Sequence, residues 1–128
     1  MQPDKRDLCA MLPLTPAVFH ILLALADGER HGYSIMQEIA IQTSGALRVG
    51  PTTLYRSIKN MLQAGLIEES EERPDPEEDD ERRRYYRMTE LGWRIATAEI
   101  QRLERAIAVA HSKSSLRSWM PAPSNESV

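Results

Sequence analysis

The 128-residue sequence predicts a mainly α fold with one small β-hairpin. Three observations predict it. Residues 15–65 hold three helical patterns, each with its own start and stop signals. Two short β-type runs follow, one on each side of a strongly acidic stretch. A long helical pattern then runs from Thr89 to about Leu116, with a 3-4 spacing of apolar residues from Trp93 to Ala110.

Residues 1–13 are mixed, with an apolar knot at Leu8–Leu12. Thr15-Pro16 starts the first helix, with a hydroxyl at the N-cap and proline at the first helical position. Val18 to Ala26 is apolar nearly all round, as suits a helix in the middle of a small domain, and Asp27-Gly28 ends it. The second helix runs from His31-Gly32-Tyr33 to Thr43, with Ile35, Met36, Ile39 and Ala40 on one face, and Ser44-Gly45 stops it. Leu47-Arg48-Val49 reads as a very short strand. The third helix runs from Pro51-Thr52 to Ala64-Gly65, with Leu54, Ile58, Met61 and Leu62 as its apolar face. Leu66–Ser70 and Arg82–Met88 are the arms of a hairpin whose turn is acidic. Thr89 caps the last, long helix. Its seam is Trp93, Ala96, Ile100, Leu103, Ile107 and Ala110, spaced 3, 4, 3, 4, 3 as in a coiled coil. Leu91, Ile95 and Ala98 form a second stripe for packing on the preceding helices. Residues 117–128 read as a frayed tail.

The net charge of −3 averages two unlike regions. Residues 68–81 carry ten acids and one arginine, while the remaining chain holds 15 Lys+Arg against 9 Asp+Glu. A pI near 5.6 therefore does not argue against nucleic acid as a partner. The longest nearly apolar run, Pro16–Ala26, is too short for a membrane span of ~20 residues. The N-terminus lacks the pattern of a secretory signal, so a soluble protein of the cytoplasm is expected. The lone cysteine, Cys9, makes no disulfide framework and reads as a small half-buried thiol. Acids 75–81 lack the spaced glycine and alternating ligands of a calcium loop, so no metal or other cofactor is expected. There is no Ser/His/Asp or Cys/His set and no phosphate-binding glycine loop, so an enzyme is not expected.

Helix, helix, helix, strand, turn, strand, helix is the order of a winged helix-turn-helix. In such modules the third helix enters the major groove and the hairpin touches the backbone or minor groove. The outer face of the third helix has the side chains this requires. Thr52, Arg56, Lys59, Asn60 and Gln63 point away from its apolar face, with Thr53 and Tyr55 on the flanks and no acid between residues 50 and 67. Arg and Lys reach guanine or phosphate, Asn pairs with adenine, and Thr serves a phosphate or a thymine methyl. An ordinary solvated helix face has the same composition. What tips the balance is its combination with the three-helix order and with Arg82, Arg83, Arg84 and Arg87 on the wing strand.

These residues resemble the PadR-like transcriptional regulators. The matching stretches are Leu14-Thr15-Pro16, Gly28-Glu29-Arg30-His31-Gly32-Tyr33, Gly50-Pro51-Thr52-Thr53-Leu54-Tyr55, Gly65-Leu66-Ile67 and Arg83–Gly92, spread over residues 14–110. The resemblance implies a homodimeric repressor on a pseudo-palindromic double-stranded operator, often released by a small-molecule effector. The length is similar to the short branch of the family, with a single C-terminal dimerisation helix. The expected organisation is an N-terminal segment (1–13), a winged helix-turn-helix (14–88), a dimerisation helix (89–116) and a tail (117–128). A winged-helix adaptor for protein partners, without DNA binding, is the alternative. The strongly acidic wing tip departs from the family pattern. Asp75–Glu81 is expected to stand off the DNA and to restrain non-specific binding. His31 is expected to cap a helix, Tyr33, Tyr85 and Tyr86 to pack, one of the last two facing out, and Trp93 to pack in the seam.

Overall fold

A computed structural model describes residues 10–70 and 84–122. In chain order these form α1 (Pro16–Leu25), β1 (Arg30–His31), α2 (Gly32–Gln42), α3 (Pro51–Ala64), β2 (Ile67–Ser70), β3 (Tyr85–Met88), α4 (Glu90–Ser112) and α5 (Ser114–Trp119). The helix starts follow local chemistry. Thr15 Oγ1 accepts the Val18 N–H at 3.2 Å, with Pro16 in the first turn. His31 Nδ1 accepts the Ser34 N–H at 3.2 Å, so its imidazole caps α2 as expected. At the end of α3, Gly65 takes the left-handed conformation (φ +79°) that closes the helix. The three helices and the first half of α4 enclose one core, built from Ile21, Leu22, Ile35, Ile39, Leu54, Ile58, Met61 and Ile95.

The sheet has three antiparallel strands in the order β1-β3-β2, with Arg30 opposite Tyr86 and Glu68 opposite Arg87. The expected strand at Leu47–Val49 does not form. Thr43 Oγ1 donates to the Ile39 carbonyl at 2.8 Å and accepts the Leu47 N–H at 3.1 Å, which ties the start of that segment back to α2. The free edge of β3 is taken by Arg30–His31 instead. Both Tyr85 and Tyr86 are buried, Tyr86 in the core and Tyr85 against the ring of His31, which corrects the expectation that one faces solvent. The His31 ring meets Tyr85 edge-on, with centroids 5.4 Å apart. Tyr33 is corrected the other way: it is 59% exposed, because Ile35 and Ile39 take the inner face of α2.

Thr89 joins the sheet to α4. Its N–H donates to the Leu66 carbonyl, its hydroxyl donates to the Gly65 carbonyl and accepts the Gly92 N–H at 3.1 Å. The last helix is not continuous to Leu116. It breaks at Lys113, which is extended (φ −89°, ψ 102°), and resumes as α5. Arg117–Trp119, expected in the tail, are helical, while residues 123–128 and the acidic turn 75–81 lie outside the described residues.

Candidate nucleic-acid interface

The third helix, α3, divides cleanly. Leu54, Ile58 and Met61 are buried, while Thr52, Thr53, Tyr55, Arg56, Lys59, Asn60 and Gln63 are exposed. Both cationic side chains stand on this open face, and among the described residues neither Arg56 nor Lys59 is in an ion pair. Long N–H donors without an internal partner, carried on a helix fixed by its apolar side, are what groove or phosphate recognition uses. Tyr55 does two things. It is 51% exposed, yet its hydroxyl lies so close to Gly32 that an added Cβ there would come within 2.5 Å of the oxygen. The phenol thus bridges α3 and the start of α2 while keeping one side open.

The wing strand is less free than its sequence implies. Arg84 Nη1 lies 2.7 Å from Glu69 Oε1, and Arg87 Nε lies 2.9 Å from Glu68 Oε1. The Glu69 carboxylate, through that hydrogen bond, holds the Arg84 guanidinium above its ordinary pKa. The two arginines expected to meet phosphates therefore already face carboxylates across the hairpin. Arg82 and Arg83 lie outside the described residues. Burial pushes the Tyr86 phenol up and keeps it neutral inside the sheet.

On α4, Trp93, Ile100 and Ile107 are exposed, and Leu103 and Ala110 are half-buried. Ala96 differs from the expected seam: it is buried in the core of its own chain, because α4 lies against α1 on the side that carries Ile95 and Ala96. Two structural residues escaped the sequence reading. Glu99, only 2% exposed, accepts the Leu14 N–H at 2.7 Å and an Arg102 N–H. Arg30 donates to the Ala24 carbonyl at 2.8 Å and to Ser34 Oγ at 3.0 Å, and it pairs with Glu38. The register of the hairpin would have revealed the Glu68–Arg87 pair; Arg30 lies in one of the stretches that resemble the family, but nothing in the sequence marks its partners. Among the described residues no group of three His, Cys, Asp or Glu is placed to hold a metal, and no helix is long and apolar enough to cross a membrane.

Residues 21–98 match the model of the transcriptional regulator PadR-like family. Among solved structures, a transcriptional regulator from Clostridium thermocellum, Cth-833, is similar at 23% identity and TM-score 0.62, over 88% of this chain and 99% of that one. A PadR family regulator from hypervirulent Clostridium difficile R20291 is similar at 19% identity and TM-score 0.64, over 77% and 97%. RosR from H. salinarum is similar at 24% identity and TM-score 0.56, over 84% and 87%. No curated protein matches.

Proposed function

The chain belongs to the PadR-like family, whose members are transcriptional regulators and not enzymes, and within that family we propose that it is a homodimeric repressor acting on double-stranded DNA in the cytoplasm. The observation that carries this reading is the open face of α3, with Arg56 and Lys59 unpaired among the described residues on a helix anchored by Leu54, Ile58 and Met61. Two copies of α3 occupy successive major grooves of a pseudo-palindromic operator. Thr52, Thr53, Asn60 and the open side of Tyr55 complete the reading face. Arg82, Arg83, Arg84 and Arg87 flank the phosphates, with Arg84 and Arg87 exchanging their carboxylate partners for phosphate oxygens on binding. Residues 14–88 form the DNA-binding unit. The apolar stripe of Trp93, Ile100, Leu103 and Ile107 holds the dimer, and a small-molecule effector releases the DNA by changing how the two copies sit.

Selection of genomic fragments by the purified protein tests this directly. Enrichment of one pseudo-palindrome is expected, and Arg56→Ala or Lys59→Ala should weaken its binding. A lost phosphate contact lowers the salt slope of log K by about 1, and a lost base contact costs ~1–3 kcal/mol at one position of the site. The pairing of Arg84 and Arg87 with acids favours a second reading, an adaptor for protein partners. Failure of any fragment to enrich, with both variants behaving as the parent, would select that reading.

A further inference from the structure

A cleft of about 260 Å³ lies at the base of the wing, between the turn after α1 and the first turn of α4. Leu25, Met88 and Trp93 give it an apolar floor, and Asp27, Glu29 and Arg87 stand around it. Arg87 is engaged by Glu68. Among the described residues, Asp27 and Glu29 are in no ion pair. The cleft is therefore apolar below and acidic at one rim.

The same chain carries a segment of the opposite character. Beyond Ala110 everything described is exposed. That arm holds Leu116, Trp119 and Met120, with Trp119 88% exposed. Its cations, Lys113 and Arg117, are in no ion pair among the described residues.

The α4 stripe fixes where a second copy would bring this arm. Paired antiparallel, Trp93 faces Ala110 and Ile100 faces Leu103, so the largest side chain meets the smallest. Paired in parallel, two indoles would collide at one layer while two alanines left a gap at another. In the antiparallel register the partner's Lys113 lies about 4.5 Å further along the axis than its Ala110, at three residues of 1.5 Å. That position is past Trp93, toward the start of α4 and the mouth of the cleft. Trp93 is thus shared between the stripe and the cleft, and the two surfaces are continuous.

We propose that in the dimer the C-terminal arm of each copy docks in the wing-base cleft of the other, with the partner's Leu116 or Trp119 on the floor and the partner's Lys113 and Arg117 against Asp27 and Glu29. This rests on the homodimer reading above. The extended Lys113 supplies the bend that takes the arm off the α4 axis and onto the neighbouring domain. Each wing is then braced by the other protomer, and the dimer contact reaches the DNA-facing hairpin through Met88 and Arg87.

A thiol pair tests it: Glu29→Cys with Arg117→Cys in a Cys9→Ser background, each thiol also made alone, with covalent dimers read on non-reducing denaturing gels and native mass by light scattering. Mild oxidation should give a disulfide-linked dimer from the double variant and none from either single variant. A dimer that forms no such link, or one linked through Arg117→Cys alone, would overturn the docking and leave the homodimer standing. Monomers by light scattering in the parent protein would remove the homodimer and the docking together. An internal disulfide, seen as lost thiols with only a monomer band on the non-reducing denaturing gel, would place the arm on its own domain and overturn the exchange. A charge reversal provides a second readout. Asp27→Lys with Glu29→Lys should weaken dimerisation about threefold to tenfold, the size of one or two partly exposed pairs, and adding Lys113→Glu with Arg117→Glu should restore it. Additive losses would count against the pairing.

Discussion

At Glu99 a carboxylate is held almost out of water between the Leu14 N–H and Arg102, pinning the residue just before the α1 cap to the middle of α4. The Arg102 hydrogen bond, aided by the one from Leu14, outweighs burial and sets the carboxyl below its ordinary 4.5. A depressed acid contributes stability that is fully present above the unfolded value and lost as pH falls through the folded one. Glu99→Gln should therefore cost about 1–3 kcal/mol near neutrality. The gap between parent and variant in thermal melts should close progressively as the pH is taken below 4.5. Gly92 is held by a different constraint. A Cβ there would lie 2.1 Å from the Leu66 carbonyl oxygen, which is backbone and already accepts from Thr89. Gly92→Ala should cost about 3 kcal/mol or more, read as a lowered midpoint in urea. These two residues also mark how far single positions could be read. Position 99 lies four and three residues after the buried Ile95 and Ala96, but an acid there reads as surface until its partners are known. Gly92 belonged to a recognisable motif, yet the reason for it is a carbonyl from a segment some 26 positions away (Leu66).

Among the elements, α3 was legible entire, because a proline start, a glycine stop and an unbroken apolar face all agree. The first strand was not, since Arg30–His31 is too short to show any period, and the β-type Leu47-Arg48-Val49 competed for the role without an edge to join. The break at Lys113 was also hidden, as it falls among His111, Ser112, Ser114 and Ser115, middling helix formers with no glycine or proline to mark a stop. The wing shows the same division. Its strands were readable, its cross-strand charge pairing was not, and that pairing sets a testable limit on DNA affinity. Glu68→Gln with Glu69→Gln should remove the carboxylate that Arg87 meets at Glu68 and the one that Arg84 meets at Glu69. Binding to random duplex should tighten about threefold to tenfold and the salt slope steepen by up to about 2. Unchanged slopes in fluorescence-anisotropy titrations would mean that neither arginine reaches phosphate.

For the molecule as a whole, the proposed dimer rests on the apolar stripe of α4. Leu103 is half-buried within its own chain, Ile100 is 37% exposed and Ile107 56% exposed. Ile100→Asp with Leu103→Asp should give a folded monomer by light scattering, with retained helical circular dichroism. Its operator binding should fall by orders of magnitude, because two half-sites would no longer be bound as one unit. The charge layout acts at the same scale. The acidic stretch and the basic remainder nearly cancel, which keeps the bulk pI at about 5.6 while α3 stays free of acids. Overall charge therefore understates the field at the reading face.

The pairing of Arg30 with Tyr86 and His31 with Tyr85 laces the wing to the very residues that open α2. Tyr55 of α3 meets Gly32 at the same corner, so in the proposed homodimer each protomer would move as one blade of a caliper. The span of the jaws, the distance between two α3 helices measured against the ~34 Å repeat of successive major grooves, is what the proposed effector would adjust. A shift of a few ångströms would then release the DNA with nothing melted. The amides of β3 and of early α2 should then keep equal protection from hydrogen exchange in the loaded and the released states.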